Sequence, residues 1–265
     1  MAAPVLIAHR LGRAYGPDSS RLALATALAG GVEAVETDVC LTADDELVVL
    51  HDPLLSLGTT LFGWAHERAA SEICAARLRD RGGAVVDEGP MRLAELLDLM
   101  PPDLPLQLEV KAHADRALAA RTARVLCERC HAERGRLEVI SFHSSACATA
   151  AAHGYFARLV VWTDNSPDQI AAWARRRGVA GVSVEDFLVS DHVARVMRLA
   201  GLSLNTGTIN ELDIARRVIA LAAPDAICTD RPLELRAELE AAVRSADHDL
   251  RGDDRLFLRP ALPLP

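Results

Sequence analysis

The chain has 265 residues and a formal net charge of −8, with 29 Lys and Arg against 37 Asp and Glu, and 50% of it is hydrophobic. That is enough chain to bury a full core, and an acidic balance with no basic block excludes a dedicated nucleic-acid binder. No stretch approaches the roughly 18 consecutive apolar residues that span a bilayer, so no stable membrane anchor is expected.

The opening MAAPVLIAHR carries neither a basic n-region nor an apolar h-region. It predicts no export signal and a cytoplasmic location. Short aliphatic runs then alternate with Ala-, Leu- and Arg-rich segments of helical period. The predicted strands are 5–10, 34–41, 46–52, 106–111, 137–142, 158–163, 181–185, 202–206 and 225–230. The predicted helices are 20–30, 91–100, 113–133, 144–153, 167–177, 190–200, 210–222 and 232–244. Such alternation implies a parallel sheet with helices outside it.

Nine strands exceed an eightfold barrel by one, and the excess is 46–52. It follows 34–41 after only Thr42-Ala43-Asp44-Asp45, too few residues for a parallel crossover, so the two form an antiparallel hairpin. Eight strands remain, and about 250 residues is the usual size of a (β/α)₈ TIM barrel. We therefore expect one α/β barrel domain over 1–245, an irregular insertion at 53–90, and an extended tail at 246–265. Cys127, Cys130 and His131 match the C-x-x-C-H spacing of a haem attachment site. Their setting, RTARVLCERCHAE, reads instead as one face of an amphipathic helix with no second metal-binding pair nearby.

Barrel chemistry sits at the C-terminal ends of the strands, and four of these ends carry ionisable groups. The first strand ends in His9-Arg10, the second carries Glu36 and Asp38 on one face, the third carries Glu109 and Lys111 on one face, and the hairpin's return strand ends in His51-Asp52. With Asp44-Asp45 as a two-residue loop, paired residues sum to 89 and His51 falls opposite Asp38. Converging carboxylates need a positive charge among them, and an oxygen-only set suits Mg²⁺ or Ca²⁺. Two imidazoles, Arg10 and Lys111 add acid/base groups and anion contacts. Together these describe a site for phosphate ester chemistry.

The residues His9-Arg10, Glu36-Thr37-Asp38, His51-Asp52, Glu109-Val110-Lys111, Ser141-Phe142 and Thr229-Asp230-Arg231-Pro232, in that order, resemble the pattern of the glycerophosphodiester phosphodiesterase family. The resemblance runs from residue 5 to about 235. It implies a (β/α)₈ barrel that cleaves glycerophosphodiesters, as small-molecule substrates, to glycerol phosphate and an alcohol. It implies metal ligation by Glu36, Asp38 and Glu109, acid/base roles for His9 and His51, and phosphate contacts from Arg10 and Lys111. The same pattern in a lyase of the sphingomyelinase D type, or in a barrel used only for binding, is the competing reading.

Several positions depart from the family pattern. Leu11 stands before Gly12 where the family has Gly directly, and Pro17-Asp18-Ser19-Ser20 replaces Pro-Glu-Asn-Thr. His143 stands where an acid is common, and Gly207-Thr208-Ile209-Asn210 replaces Trp-Thr-Val-Asn. The last change removes an aromatic wall, for which Trp162 is the candidate replacement in substrate binding.

Overall fold

The computed structural model describes residues 3–163 and 165–253. Eight parallel strands close into a ring: β1 (Val5–Ala8), β2 (Ala34–Leu41), β5 (Leu106–Lys111), β6 (Leu137–Ser141), β7 (Phe156–Val161), β8 (Gly181–Val184), β9 (Ser203–Thr206) and β10 (Ala226–Thr229). Pairing of β1 with both β10 and β2 closes the circle. Outside the ring, β3 (Leu47–Val49) lies antiparallel to β2, and β4 (Met91–Arg92) lies antiparallel to β3. The hairpin strand is thus the excess strand, as the short connection required. The two-residue β4 takes the first positions of the helix expected at 91–100.

Helices α1 (Arg21–Ala29), α5 (Arg116–Arg129), α6 (Ser144–Ala152), α7 (Pro167–Arg177), α8 (Asp191–Ala200), α9 (Leu212–Ala222) and α10 (Pro232–Asp253) alternate with the ring strands. α4 (Leu93–Leu99) follows β4. Ser20, Asp115, Ser166 and Ser190 cap four of these helices by accepting from backbone N–H groups of the first turn. Pairs of buried alanines face the strands, such as Ala23 and Ala27 or Ala119 and Ala123. Small side chains there let the helix backbones approach the barrel closely.

Two expectations need correcting. α10 runs to Asp253, so residues 246–253, expected in an extended tail, continue the helix; 254–265 lie outside the described residues. The insertion is also less irregular than its glycines suggested. It holds α2 (Leu55–Gly58) and α3 (Ala70–Ala75), and Leu55, Ala65, Ala70, Ile73 and Leu78 pack on Cys40, Val48 and Leu50 as a separate small core. Hydrophobic burial therefore fixes the insertion against the outer face of the hairpin. No helix among the described residues is long and apolar enough to cross a membrane.

Candidate active site

The carboxylate cluster follows from strand register. β2 and β5 are parallel neighbours in which Asp38 pairs with Glu109, and Glu36 lies two residues before Asp38 on the same face. Each of Glu36, Asp38 and Glu109 offers one oxygen, and these oxygens lie within 4.8 Å of one another, all buried. Lys111 Nζ stands 3.1 Å from Asp38 Oδ1 and 2.5 Å from Glu109 Oε1. Asp38 Oδ2 remains a buried acceptor with no hydrogen-bond donor.

His9 and Arg10 enter the site from a sharp turn after β1. Three successive residues, Arg10, Leu11 and Gly12, have φ of 48°, 65° and 100°. A left-handed conformation costs a non-glycine residue about 1–2 kcal/mol, so Leu11 occupies a place where glycine would be unstrained. Its fully buried side chain fills the core below the turn. The Arg10 backbone N–H donates to Glu36 Oε2 at 3.0 Å, and Arg10 Nε stands 3.8 Å from Asp38 Oδ2. Asp18, at the shortened-acid position of the sequence, joins the Arg10 and Arg13 guanidinium groups.

His9 is held from the neighbouring strand, since β10 pairs with β1 and Ala8 lies beside Thr229. Its Nδ1 lies 2.7 Å from Asp230 Oδ1, just beyond β10, while Nε2 points toward Glu36 at 4.0 Å. Asp230 is itself fixed by Asn210, whose Nδ2 donates to Asp230 Oδ2 at 3.0 Å and whose Oδ1 accepts from the Asp230 backbone N–H at 2.9 Å. Asp230 and Asn210 are the functional candidates to which sequence reasoning gave no role. Thr229-Asp230-Arg231-Pro232 was visible as a motif, but it comes beside His9 only because closure of the ring sets β10 next to β1.

The hairpin register differs from expectation by one residue. Val39, Cys40 and Leu41 pair with Val49, Val48 and Leu47, so paired numbers sum to 88. The loop has three residues, closed by Thr42 N–H donating to Glu46 O, and Asp45 takes φ 55°. This is the three-residue alternative, with its last residue left-handed. Leu50, not His51, donates its N–H to Asp38 O. His51 nonetheless reaches the site because β3 ends at Val49 and the chain turns there. His51 lines the same cavity as Arg10 and holds Asp52 Oδ1 through Nδ1 at 2.9 Å.

The electrostatics follow from burial and crowding. Burial pushes the Glu36 carboxyl well above its ordinary range, and Asp38 and Glu109 push it further. Glu109 is likewise raised, by burial ahead of the opposing Lys111. Burial would also raise Asp38, but Lys111, His51, Arg10 and His9 outweigh it and hold Asp38 at about 2. His9 is lowered because burial disfavours the imidazolium more than the Asp230 hydrogen bond favours it. An oxygen-only set with a stranded acceptor and mutually repelling carboxylates fits a hard divalent cation.

Residues 9–234 match the model of the Glycerophosphoryl diester phosphodiesterase family. The chain belongs to that family. It shares the fold of an Oleispira antarctica phosphodiesterase solved with the product sn-glycerol-3-phosphate, at 22% identity and TM-score 0.79, covering 90% of this chain and 97% of that one. A Thermotoga maritima glycerophosphodiester phosphodiesterase superposes with TM-score 0.73 at 20% identity, covering 90% and 99%. A Mycobacterium tuberculosis relative named "Probable glycerophosphodiester phosphodiesterase 2" is 27% identical, covering 89% of this chain and 91% of that protein. Family membership makes the protein a phosphodiesterase of the glycerophosphodiester class.

The remaining sequence candidates lie outside the carboxylate cluster itself. Trp162, just after β7, is 62% exposed. No hydrogen bond, ion pair or ring contact among the described residues joins it to the carboxylates. The missing aromatic at 207 has a steric reason, since a Cβ there would meet Cys228 Cβ at 2.6 Å. Cys127 and Cys130 are buried thiols while His131 is exposed, so the three do not converge.

Proposed function

We propose that this phosphodiesterase hydrolyses glycerophosphodiesters to glycerol phosphate and an alcohol, with His9 and His51 as acid/base pair and a divalent cation on Glu36, Asp38 and Glu109. The observation that carries the reading is the buried three-carboxylate cluster with a stranded acceptor at Asp38 Oδ2, flanked by both imidazoles. Such a donor set suits Mg²⁺ or Ca²⁺. A bound cation would supply charge neutralisation to the phosphoryl oxygens. The product named for the Oleispira phosphodiesterase is the product expected here.

Arg10 and Lys111 bind the non-bridging phosphate oxygens, and their guanidinium and ammonium hold the diester in line. Asp230 accepts the Nδ1 proton of His9, leaving the Nε2 lone pair facing the site. With its pKa lowered, His9 is neutral at pH 7 and takes the proton of the attacking water at Nε2. The water oxygen forms the new P–O bond while the bond to the leaving alcohol breaks. His51, with Nδ1 anchored on Asp52, returns a proton from Nε2 to the departing oxygen. Each such transfer is typically worth ~10²–10⁴-fold.

The test is turnover of glycerophospho-choline, -ethanolamine, -glycerol and -inositol in ¹⁸O-labelled water, before and after thorough chelation. We expect glycerol phosphate carrying one labelled oxygen, loss of turnover in EDTA, and recovery with Mg²⁺ or Ca²⁺. Activity that survives chelation would remove the metal from the reading. A cyclic phosphate as end product would replace hydrolysis with the lyase reaction.

A further inference from the structure

Beside the carboxylate cluster the insertion walls off a cavity of about 180 Å³ that begins at Arg10 and His51. The cavity therefore opens directly from the place proposed for the diester phosphate, and one of the two alcohol moieties has room to enter it. Four arginines line the cavity, Arg10, Arg13, Arg79 and Arg81, against three aspartates, Asp18, Asp52 and Asp80.

The aspartates are already committed. Asp18 bridges Arg10 and Arg13, Asp52 holds His51, and Asp80 Oδ1 accepts from the backbone N–H groups of Gly82 and Ala84 at 2.9 Å each. Two guanidinium groups from the insertion are left without a cavity carboxylate. Arg79 is held in place by the carbonyls of Thr59 and Gly83. Arg81 is 54% exposed at its side chain, and the carboxylate nearest its guanidinium is Asp230, 3.8 Å away.

We propose that this cavity selects diesters whose alcohol moiety carries a second phosphate, with Arg81 as the specificity-determining residue. The inference rests on the phosphodiesterase reading and names its substrate class. A guanidinium fork matches phosphate geometry with paired N–H donors. Leu50, Leu57 and Leu78 supply an apolar side for the carbons of a short polyol. A quaternary ammonium has the wrong charge for this wall, and no Phe, Tyr or Trp among the described lining residues offers it a ring face.

The experiment compares glycerophosphoglycerol with the same diester phosphorylated on its distal glycerol, using the full-length metal-loaded enzyme. Charge-assisted contacts predict about a 10- to 100-fold preference in kcat/KM for the phosphorylated substrate. Arg81→Ala should bring that ratio toward one, and Arg81→Glu should bring it below one. Equal kcat/KM on the two substrates in the wild type would overturn the proposal. So would an Arg81→Ala ratio unchanged from wild type, which is also the result if Arg81 acts only through Asp230.

Thermal shift with the same two diesters keeps the two readings apart. Absence of turnover on both substrates would count against hydrolysis. The cavity would still be judged by binding. The phosphorylated diester should raise Tm more than its partner in the wild type but not in Arg81→Ala, and equal shifts in both proteins would sink it.

Discussion

At the floor of the barrel, Arg158 from β7 is 2% exposed and donates to Glu138 Oε1, Val182 O and Ser203 Oγ. Glu138 also accepts from Gln107, and Ser203 Oγ donates to Asp225 Oδ2 at 2.7 Å. Only Nε of Arg158 lacks a partner in that group. At the mouth, Glu36, Asp38 and Glu109 share Arg10 and Lys111, and Asp38 Oδ2 is left stranded. Both ends bury charge, but the floor spreads its donors and acceptors over partners from five strands and the mouth holds a surplus acceptor. A buried charge is costly unless paired and hydrogen-bonded. Saturation at the floor therefore marks a structural plug, and the deficit at the mouth marks a place for something the chain itself does not supply.

The sharpest way to break this contrast is at the two imidazoles. His9→Ala and His51→Ala should each lower kcat at least ~100-fold, with circular dichroism and Tm close to wild type. Near-normal turnover in either variant would remove that residue from the acid/base pair. Next comes the floor, where Arg158→Ala takes the cation from the partly buried Glu138 and removes a buried side chain's hydrogen bonds. The expected loss is about 1–3 kcal/mol of stability by denaturant unfolding, with kcat of the folded protein unchanged. A catalytic defect without a stability loss would reverse the roles assigned to the two ends. Gly181 belongs to the same design, because a Cβ there would meet Arg158 Nη1 at 2.6 Å and Ser203 O at 2.9 Å.

The mouth was far more legible in sequence than the floor, and for a physical reason. Glu36 and Asp38, or Glu109 and Lys111, lie two apart on one strand, so the period of the strand alone places them together. Parallel register then did the rest. Arg158 stood at the start of an otherwise aliphatic run, and its partners come from three other strands, which no local pattern shows. Asp230 had the same difficulty, being 221 residues from His9. The hairpin error arose because two-residue and three-residue loops fit the same alternation, and both put Asp45 in the left-handed region; Asp44 staying out of it distinguishes them. His51 survived that error because it lies past the end of β3, where strand register no longer decides direction.

The mouth also predicts a trade between stability and activity. Glu36 has a folded pKa above its unfolded value because of burial and its neighbours Asp38 and Glu109. Its ionisation therefore costs the cation-free fold stability as pH rises above the ordinary carboxylate range. In chelated protein at pH 7, Glu36→Gln should raise Tm by at least about 2–4 °C, the change that 1 kcal/mol produces in a domain of comparable size. The gain should fade toward pH 4, and adding Mg²⁺ or Ca²⁺ should raise Tm in the wild type more than in the variant. A variant less stable than wild type in EDTA would show that the carboxylates are satisfied without a cation.

The smallest effect is expected at a carboxylate that follows the logic of the floor although it lies near the mouth. Asp44, in the hairpin loop, accepts from Thr42 Oγ1 at 2.6 Å and from the Ala70 backbone N–H at 3.0 Å, tying the loop to the start of α3. These bonds lower its pKa, the Thr42 hydroxyl contributing most. A lowered folded pKa means stability that is present above the unfolded value near ~4 and lost as pH falls through the folded one. Asp44→Ala should therefore lower Tm slightly at pH 7, and the difference from wild type should close in acid. Because Asp44 is satisfied twice and touches no cluster residue, kcat on glycerophosphodiesters should hold. If Asp44→Ala instead changed kcat, the insertion would be coupled to the acid/base groups through the hairpin, and saturation of a carboxylate would no longer separate structural from catalytic charge in this barrel.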